Sequence, residues 1–405
     1  MRLHRNLVFT VLDSLHLIFN EGQYADKVIE KALKKDKRWG ARDRAFIAST
    51  TYEIIRYKRL YAEIAEINGH FSAQNIKRVF AVWTTLKGIQ IPADWSEFEP
   101  TPKRKIKGRF DALIKTRAIR ESIPDWLDTL GEQSLGDKLW EAEIKALNEE
   151  ADVVLRINTL KTTIEQAEKR LQEEGIDTVR IPDLPAALRL VERQNVFLTQ
   201  SFKDGWFEIQ DGSSQKVAPL LDIRPGQRVI DACAGAGGKT LHLSSLLENK
   251  GQLIAMDIHQ YKLNNLKLRA RRAGAHNIET RLIDSNKVIK KLHGSADRVL
   301  IDAPCTGLGV LRRNPDAKWK IDSDFLNRVI NTQQEILQSY SKLVKIRGKI
   351  IYATCSILPQ ENDQQIEKFM TSEAGKNFSL IESHNLYASK DQFDGFFIAL
   401  LERKT

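Results

Sequence analysis

The order of hydrophobic and polar positions divides the 405 residues into three stretches. Up to about residue 145, apolar residues recur at intervals of three and four, which predicts amphipathic helices. A polar stretch with prolines around 92–108 is interpreted as a loop, and helix is expected to resume near Phe110. Two short amphipathic helices are predicted within 125–151. We therefore expect residues 1–150 to form an all-α domain. In the segment 42–67, the periodic apolar positions are Phe46, Ile47, Ile54, Ile55, Leu60 and Ile64.

The pattern changes at Asp152, where the segment DVVLRINT (152–159) is rich in β-branched residues. An amphipathic helix is predicted over 163–175, and Gly175 ends it. The segment from Thr178 and the segment VFLTQ (196–200) are interpreted as short strands. Residues 151–205 are therefore expected to form a small α+β module.

From Trp206 onward, apolar strands alternate with helical segments, which predicts a parallel sheet covered on both faces. The last two apolar segments, SLIES and GFFIALLER, are joined only by a loop, which predicts an antiparallel edge. We assign residues 206–405 to this α/β domain. The predicted strands are RVIDAC (228–233), QLIAMD (252–257), IETRLID (278–284), DRVLIDA (297–303) and KIIYAT (349–354).

Composition narrows the class of protein. No apolar run approaches the roughly 20 residues that a membrane-spanning helix needs. The apolar N-terminus is interrupted by Asp13 and His16, so we interpret it as a first helix rather than a signal peptide. Only three cysteines are present, and their spacing suits neither a disulfide scaffold nor a zinc site. We expect a cytoplasmic protein without a metal, and a monomer.

The formal net charge of +10 indicates a polyanionic partner. Lysines and arginines cluster in 31–44, 103–109 and 267–272. Each cluster alone could equally be a solvated helix face. Three such clusters in one chain favour a nucleic acid as the partner.

The segment DACAGAGGKT (231–240) leaves an apolar strand and opens a helix. Glycines at such a turn let the backbone approach a ligand, and the start of the helix faces the same crevice. The spacing does not match a phosphate-binding P-loop, whose first glycine would fall at Cys233. A nucleotide triphosphatase is therefore disfavoured.

Aspartates are predicted at the ends of three successive strands, at Asp257, Asp284 and Asp302. The carboxyl ends of parallel strands line one crevice, so we expect these carboxylates to converge there. Asp257 is placed to accept hydrogen bonds from ribose hydroxyls, and Asp284 to meet the adenine end of a cofactor. The alternative is that the glycines and aspartates serve only as turn and cap residues.

Two cysteines, Cys305 and Cys355, follow the fourth and fifth strands of this domain and so reach the same crevice. Most cysteines are small buried hydrophobic residues, but this shared placement favours chemistry. One reaction that needs a cysteine is methylation of a cytosine ring in a nucleic acid. A thiolate that adds to carbon 6 of this ring makes carbon 5 nucleophilic. Asp302 is placed to act as an acid near the ring nitrogen, and Lys239 to lower the pKa of the nucleophilic thiol. The residues alone do not show which cysteine attacks.

Several motifs resemble those of the Sun/RsmB-type RNA (cytosine-5) methyltransferases. The segment RDRAFIASTTYEIIRY resembles the NusB-like domain of the RsmB branch, and RINTLK resembles the segment ahead of its catalytic domain. The segments DGWFEIQDGSSQ, DACAGAGGKT, DRVLIDAPCTGLGVLRRNPDAKWK, IYATCSILPQEN and DGFFIALLER are similar to successive motifs of the family. The resemblance implies a Rossmann-like methyltransferase domain, S-adenosylmethionine as cofactor and RNA as partner.

The resemblance also implies separate roles for the two cysteines, with Cys355 as the nucleophile and Cys305 assisting product release. It implies that Asp257, Asp284 and Asp302 line the cofactor site together with Cys233, Ala234, Gly235, Ala236, Gly237, Gly238 and Lys239. The thiol of Cys233 alone is equally consistent with packing at a strand end. The chain departs from the family at Gly235-Ala236, where Ala-Pro is usual, and this bears on cofactor affinity.

Small-subunit ribosomal RNA is the favoured substrate because of the RsmB-like N-terminal domain. Large-subunit RNA and tRNA remain open, as does an RNA-binding assembly factor with little or no catalysis. A methyltransferase for DNA or a small molecule is disfavoured by the basic helical domain and the second cysteine. The basic segment LRRNPDAKWK (311–320) is expected to contact phosphates and, through Trp319, bases, with a basic surface loop as the alternative.

Overall fold

The computed structural model describes residues 3–98 and 102–404. The chain divides into two compact units, of which the first is Met1–Glu149 with Leu311–Asp322. The second is Glu150–Val310 with Ser323–Thr405. Within the described ranges, no helix combines the length and the apolar character needed to cross a membrane.

The first unit is helical, as the apolar periodicity predicted. Ile47, Ile54 and Ile55 are fully buried in its core. Its helices are α1 (Arg5–Asn20), α2 (Ala25–Leu33), α3 (Ala41–Arg56), α4 (Lys58–Ile64), α5 (Ala73–Leu86), α6 (Lys103–Leu113), α7 (Arg117–Arg120), α8 (Asp125–Leu135) and α9 (Asp137–Leu147). The two helices predicted within 125–151 are thus confirmed as α8 and α9.

The predicted loop at 92–108 is wrong in its second half, because α6 begins at Lys103. Pro102 precedes the helix as its N-cap, a place where the missing N–H costs nothing. Lysine and arginine have good helix propensity, and Ile106 is fully buried among the other helices. The predicted loop also included residues 99–101, which lie outside the described residues.

The segment Leu311–Asp322 packs into the helical unit although it follows Cys305 in the chain. The Nε1 of Trp319 donates to the carbonyl of Ile55 at 3.0 Å. The Nζ of Lys318 lies 3.2 Å from Oδ1 of Asn148, and the Lys318 side chain is fully buried. Burial lowers the pKa of Lys318 well below its usual value. The predicted phosphate contact is therefore wrong for Lys318, and the Trp319 ring packs against the helical core.

The second unit begins with the small α+β module, whose four-stranded antiparallel sheet has the order β2-β3-β1-β4. The predicted strand at 196–200 is wrong, because Val196–Leu198 forms a 3-10 helix. The Asn195 side chain accepts from the Phe197 N–H and so favours a turn there. The elements are β1 (Val154–Ile157), α10 (Ile164–Glu173), β2 (Thr178–Ile181), β3 (Leu184–Leu190), α11 (Gln200–Lys203) and β4 (Phe207–Ile209).

After β4, the rest of the second unit is an α/β arrangement of strands and helices. Its elements are α12 (Gly212–Leu220), β5 (Arg228–Asp231), α13 (Gly238–Leu246), β6 (Gln252–Asp257), α14 (Gln260–Ala273), β7 (Ile278–Leu282), α15 (Asn286–Lys290), β8 (Ala296–Asp302), α16 (Ser323–Tyr340), β9 (Val344–Thr354), α17 (Asp363–Thr371), β10 (Phe378–Leu386), α18 (Ala388–Asp391) and β11 (Phe396–Arg403).

The seven strands have the order β10-β11-β9-β8-β5-β6-β7. The five from β9 to β7 are parallel, whereas β11 pairs antiparallel with both β9 and β10. The predicted fold class, a parallel-core sheet with an antiparallel edge, is confirmed. The carboxyl ends of β9, β8, β5, β6 and β7 therefore lie along one edge of the sheet.

Replacing Gly131 in α8 by alanine should destabilise the helical unit. An added Cβ would lie 2.4 Å from the ring of Trp140, which is 1% exposed and held by a 2.6 Å bond to Asp128. The overpacking outweighs the better helix propensity of alanine, so we expect a loss of about 1–2 kcal/mol in the free energy of unfolding. Urea denaturation and hydrogen exchange of α8 and α9 measure it.

Gly108→Ala in α6 is the matched control, because no atom lies within 4 Å of its added Cβ. It should leave stability unchanged or raise it by about 0.5–1 kcal/mol. Equal behaviour of the two variants would contradict the packing argument.

Candidate active site

The loop between β5 and α13 is shaped by two glycines with left-handed backbone. Gly235 has φ 54° and Gly237 has φ 90°, conformations that other residues adopt only with strain. A Cβ at Gly237 would lie 2.6 Å from Cγ of Leu266. The loop therefore exposes backbone groups at the start of α13, where the helix dipole and free N–H groups favour polar ligand atoms.

Asp257, the last residue of β6, braces this loop. Its Oδ2 accepts from the Gly235 N–H at 2.9 Å, and its Oδ1 accepts from the His259 N–H at 2.8 Å. Each carboxylate oxygen has two acceptor positions, so both can still accept from a ligand. The Gly235 N–H thus takes part in the contact that holds the loop against Asp257.

Asp284 lies beyond the end of β7, which stops at Leu282 rather than at Asp284 as predicted. The Ile283 N–H donates to the Asp257 carbonyl at 3.0 Å, so the two strand ends are joined. The Asp284 side chain is exposed and accepts from the Ser285 hydroxyl at 3.0 Å. Asp284 therefore stands at the open side of the edge that Asp257 lines.

Lys239 and Asp302 form an ion pair at the centre of the edge, with Nζ 2.8 Å from Oδ2. The Lys239 side chain is 12% exposed and that of Asp302 is 31% exposed. Burial alone would lower the pKa of Lys239, but Asp302, then Cys355 and Asp231, raise it. Lys239 is therefore a stable cation close to the Cys355 thiol.

The thiols of Cys305 and Cys355 meet, with their sulfur atoms 3.3 Å apart. Both cysteines are free and partly buried. The Gly309 N–H donates to the Cys355 carbonyl at 2.9 Å, which ties the two loops together. Their shared hydrogen bond, then burial, raises the pKa of Cys305. Two thiols in contact can divide the work, one as nucleophile and the other as proton carrier.

The remaining predicted cysteine, Cys233, packs against the core of the sheet. Burial and then the charge of Asp231 raise the pKa of its thiol. This surrounding suits an inert packing thiol rather than a reactive one.

Two arginines that were not among the predicted site residues hold the loop between β5 and α13. Arg156 on β1 is 3% exposed, and its Nη1 donates to the Gly238 carbonyl at 2.7 Å. Arg269 on α14 donates to the Ala236 carbonyl at 2.8 Å and pairs with the buried Glu208 at 2.9 Å. A charged residue inside the apolar strand β1 is the signal that could have revealed Arg156.

Asp231, the buried last residue of β5, was also not among the predicted site residues. Its Oδ2 accepts from the Thr240 hydroxyl at 2.7 Å. Burial raises the pKa of Asp231 to about 7. The carboxyl therefore holds its proton well above the pH at which an exposed aspartate loses it.

Asp231→Asn should change how stability depends on pH. In the wild type, the unfolded chain loses this proton near pH 4 and the folded chain near pH 7, so stability declines across that window. Asparagine keeps an acceptor for Thr240 but does not titrate. The melting temperature of the variant relative to the wild type should therefore rise between about pH 4 and 7 and stay constant outside it. Thermal unfolding without cofactor measures it, and a pH-independent difference would contradict the shift.

Comparisons with known proteins identify relatives of this chain. The profile of the family described as 16S rRNA methyltransferase RsmB/F matches residues 218–402. The profile of the RsmF/B-like ferredoxin-like domain matches residues 123–197. A Synechocystis sp. protein named probable ribosomal RNA small subunit methyltransferase B is 34% identical over 299 residues, covering 70% of this chain and 67% of that protein. The chain thus spans about two thirds of the length of that relative.

Two solved structures share the fold. The crystal structure of PH0851 is 25% identical with a TM-score of 0.83, and the match covers 100% of both chains. The structure of NSun6 from Pyrococcus horikoshii with SFG is 21% identical with a TM-score of 0.64, covering 70% of this chain and 98% of that one.

Proposed function

Because the chain belongs to the RsmB/F family of 16S rRNA methyltransferases, we propose that it methylates carbon 5 of a cytosine in small-subunit ribosomal RNA. The methyl donor in this proposal is S-adenosylmethionine. The observation that carries the proposal is the pair of thiols 3.3 Å apart at the sheet edge that also holds the glycine loop. A cytoplasmic enzyme is consistent with this substrate.

The residues at this edge fit the methyl donor. The carboxyl groups of Asp257 and Asp284 suit the ribose hydroxyls and the adenine end of the cofactor, and the acidic edge suits its positive sulfonium. Backbone groups of the loop from Cys233 to Lys239 would line the amino-acid part. When bound, the donor supplies an electrophilic methyl group. NSun6 shares the fold and was solved with SFG, an S-adenosylmethionine analogue.

We assign Cys355 as the nucleophile that adds to carbon 6 of the cytosine, which makes carbon 5 electron-rich enough to take the methyl group. Asp302 relays a proton from the Lys239 ammonium beside it to the ring nitrogen during this addition, and the proton returns when the thiolate leaves. Cys305, once its own thiol proton has passed to solvent, then takes the proton from carbon 5, so that the ring regains its double bond and the Cys355 thiolate leaves.

RNA as the partner is supported by the distribution of charge. On α6, Lys103, Arg104, Lys105 and Lys107 are all exposed within five successive positions, so they can contact phosphates. By contrast, Arg269 and Arg272 on α14 pair with Glu208, so these two residues serve the fold. Of these two clusters, the one on α6 therefore better supports an RNA contact.

The two cysteines should give opposite results when replaced. Cys305→Ala should accumulate a denaturation-resistant adduct with RNA, because the covalent intermediate forms but is not released. Cys355→Ala should form none, because the attacking thiolate is missing. Gel electrophoresis in denaturant detects the adduct, and nucleoside analysis of methylated RNA detects 5-methylcytidine in the wild-type reaction.

Small-subunit ribosomal RNA, large-subunit RNA, tRNA and DNA of matched length serve as parallel substrates. A reversed pattern of adducts would exchange the roles of the cysteines. Methylation at another atom, or a preference for DNA, would overturn the proposed reaction or substrate.

Lys239→Met should slow methyl transfer by about 10²-fold, because it removes a preorganised cation beside the nucleophile. The alkylation of Cys355 by iodoacetamide should also move to higher pH, since a nearby cation favours the thiolate. Lys250→Met replaces an exposed lysine just beyond the same helix and is the control. Full activity of Lys239→Met with an unmoved alkylation profile would contradict this role.

A further inference from the structure

A single buried carboxylate joins the two loops that carry the cysteines. Glu361 lies in the 3-10 turn Pro359–Glu361 after β9 and is fully buried. Its Oε1 accepts from the Thr306 N–H at 2.8 Å, and its Oε2 accepts from the Thr306 hydroxyl at 2.6 Å. The Ser356 hydroxyl also donates to Oε2. Thr306 and Ser356 each directly follow one of the cysteines.

A fourth donor completes the arrangement, since Nε2 of Gln333 lies 3.1 Å from Oε1. An ionised carboxylate offers about four acceptor positions, and here four donors meet them. Hydrogen bonds to a charged acceptor are about twice as strong as those between neutral groups. The arrangement is therefore a tight clamp on both loops.

The residues around Glu361 hold it in place from the other side. The Tyr352 hydroxyl donates to the Glu361 carbonyl at 2.8 Å. Asn362 donates to the Ser356 carbonyl at 2.9 Å and accepts from the Thr354 hydroxyl at 2.5 Å. The clamp is thus built onto β9 itself, next to Cys355.

We propose that Glu361 is a positioning residue that sets the distance and the proton distribution between the two thiols. This inference rests on the proposed two-cysteine reaction. A clamp that served only stability would not need a charge, because neutral or apolar groups are cheaper to bury. The charge of Glu361 acts on the thiols, and it is among the causes that raise the pKa of Cys305. Before the attack on the cytosine, Cys305 is thereby the thiol of the pair that keeps its proton.

Glu361→Gln keeps the shape of the side chain but removes the charge and replaces one acceptor oxygen by an amide donor, so that fewer of the four donors find an acceptor. Turnover should fall by about 10²-fold, because a misplacement of about 1 Å between reacting groups has this effect. Binding of S-adenosylmethionine should change little, since Glu361 contacts the cysteine loops and not the glycine loop. The pH midpoint for alkylation of Cys305, followed by mass spectrometry, should move to lower pH.

Glu367→Gln is the matched control, because Glu367 is exposed on the following helix α17. It should keep wild-type turnover and the wild-type alkylation profile. Thr306→Val and Ser356→Ala each remove one hydroxyl donor while Glu361 stays, and they should show a smaller fall in turnover. If Glu361→Gln does not fold, these two variants test the proposal in its place.

The proposal is overturned if folded Glu361→Gln keeps wild-type turnover, or if it loses turnover while the alkylation of Cys305 does not move. If only the hydroxyl variants fold, wild-type turnover in both of them also overturns the proposal. Failure of the proposed function is seen separately, because the wild type would then form no 5-methylcytidine. The alkylation profiles need no RNA and still test the clamp in that case.

Discussion

The parallel pairing of β8 with β9 is the constraint on which the geometry of the candidate site depends. Asp302 at the end of β8 lies opposite Ala353 of β9. Neighbouring strands are about 4.8 Å apart, so the two loops that follow leave the sheet side by side. Cys305 is three residues past Asp302 and Cys355 two past Ala353, which is why their sulfur atoms come to 3.3 Å. A slip of one residue in this register would turn one chain to the other face.

Several acidic groups lie close together at this edge, and each of them has different surroundings. Burial raises the pKa of Asp231 to about 7. Asp257 accepts from backbone N–H groups, and Asp302 is paired with Lys239. Glu361 is surrounded by donors from the cysteine loops. The edge therefore holds its carboxyl groups in different environments, as is common at functional sites.

The sheet and the approximate placement of the site could be predicted from the sequence because strands, glycine turns and strand-end residues are local signals. The strand at 252–257 agrees with the structure at both ends. Contacts between distant residues could not be predicted in this way. Arg156 reaches the glycine loop across 82 positions of the chain, and Glu361 reaches Thr306 across 55. The periodicity of apolar residues and the secondary-structure propensities contain no information on such pairings, so neither residue was among the predicted site residues.

The basic segment Leu311–Asp322 shows why a boundary drawn from composition differs from a boundary drawn from packing. Its charges suggested an exposed nucleic-acid contact, yet Lys318 is fully buried and Trp319 donates to the Ile55 carbonyl. A chain cut at residue 150 would leave this segment without the helices that cover it, and would expose a buried amine and an aromatic ring. Removing the partners of buried polar groups is strongly unfavourable. The segment that begins six residues after Cys305 therefore needs the helical unit for its burial, whether or not that unit binds RNA.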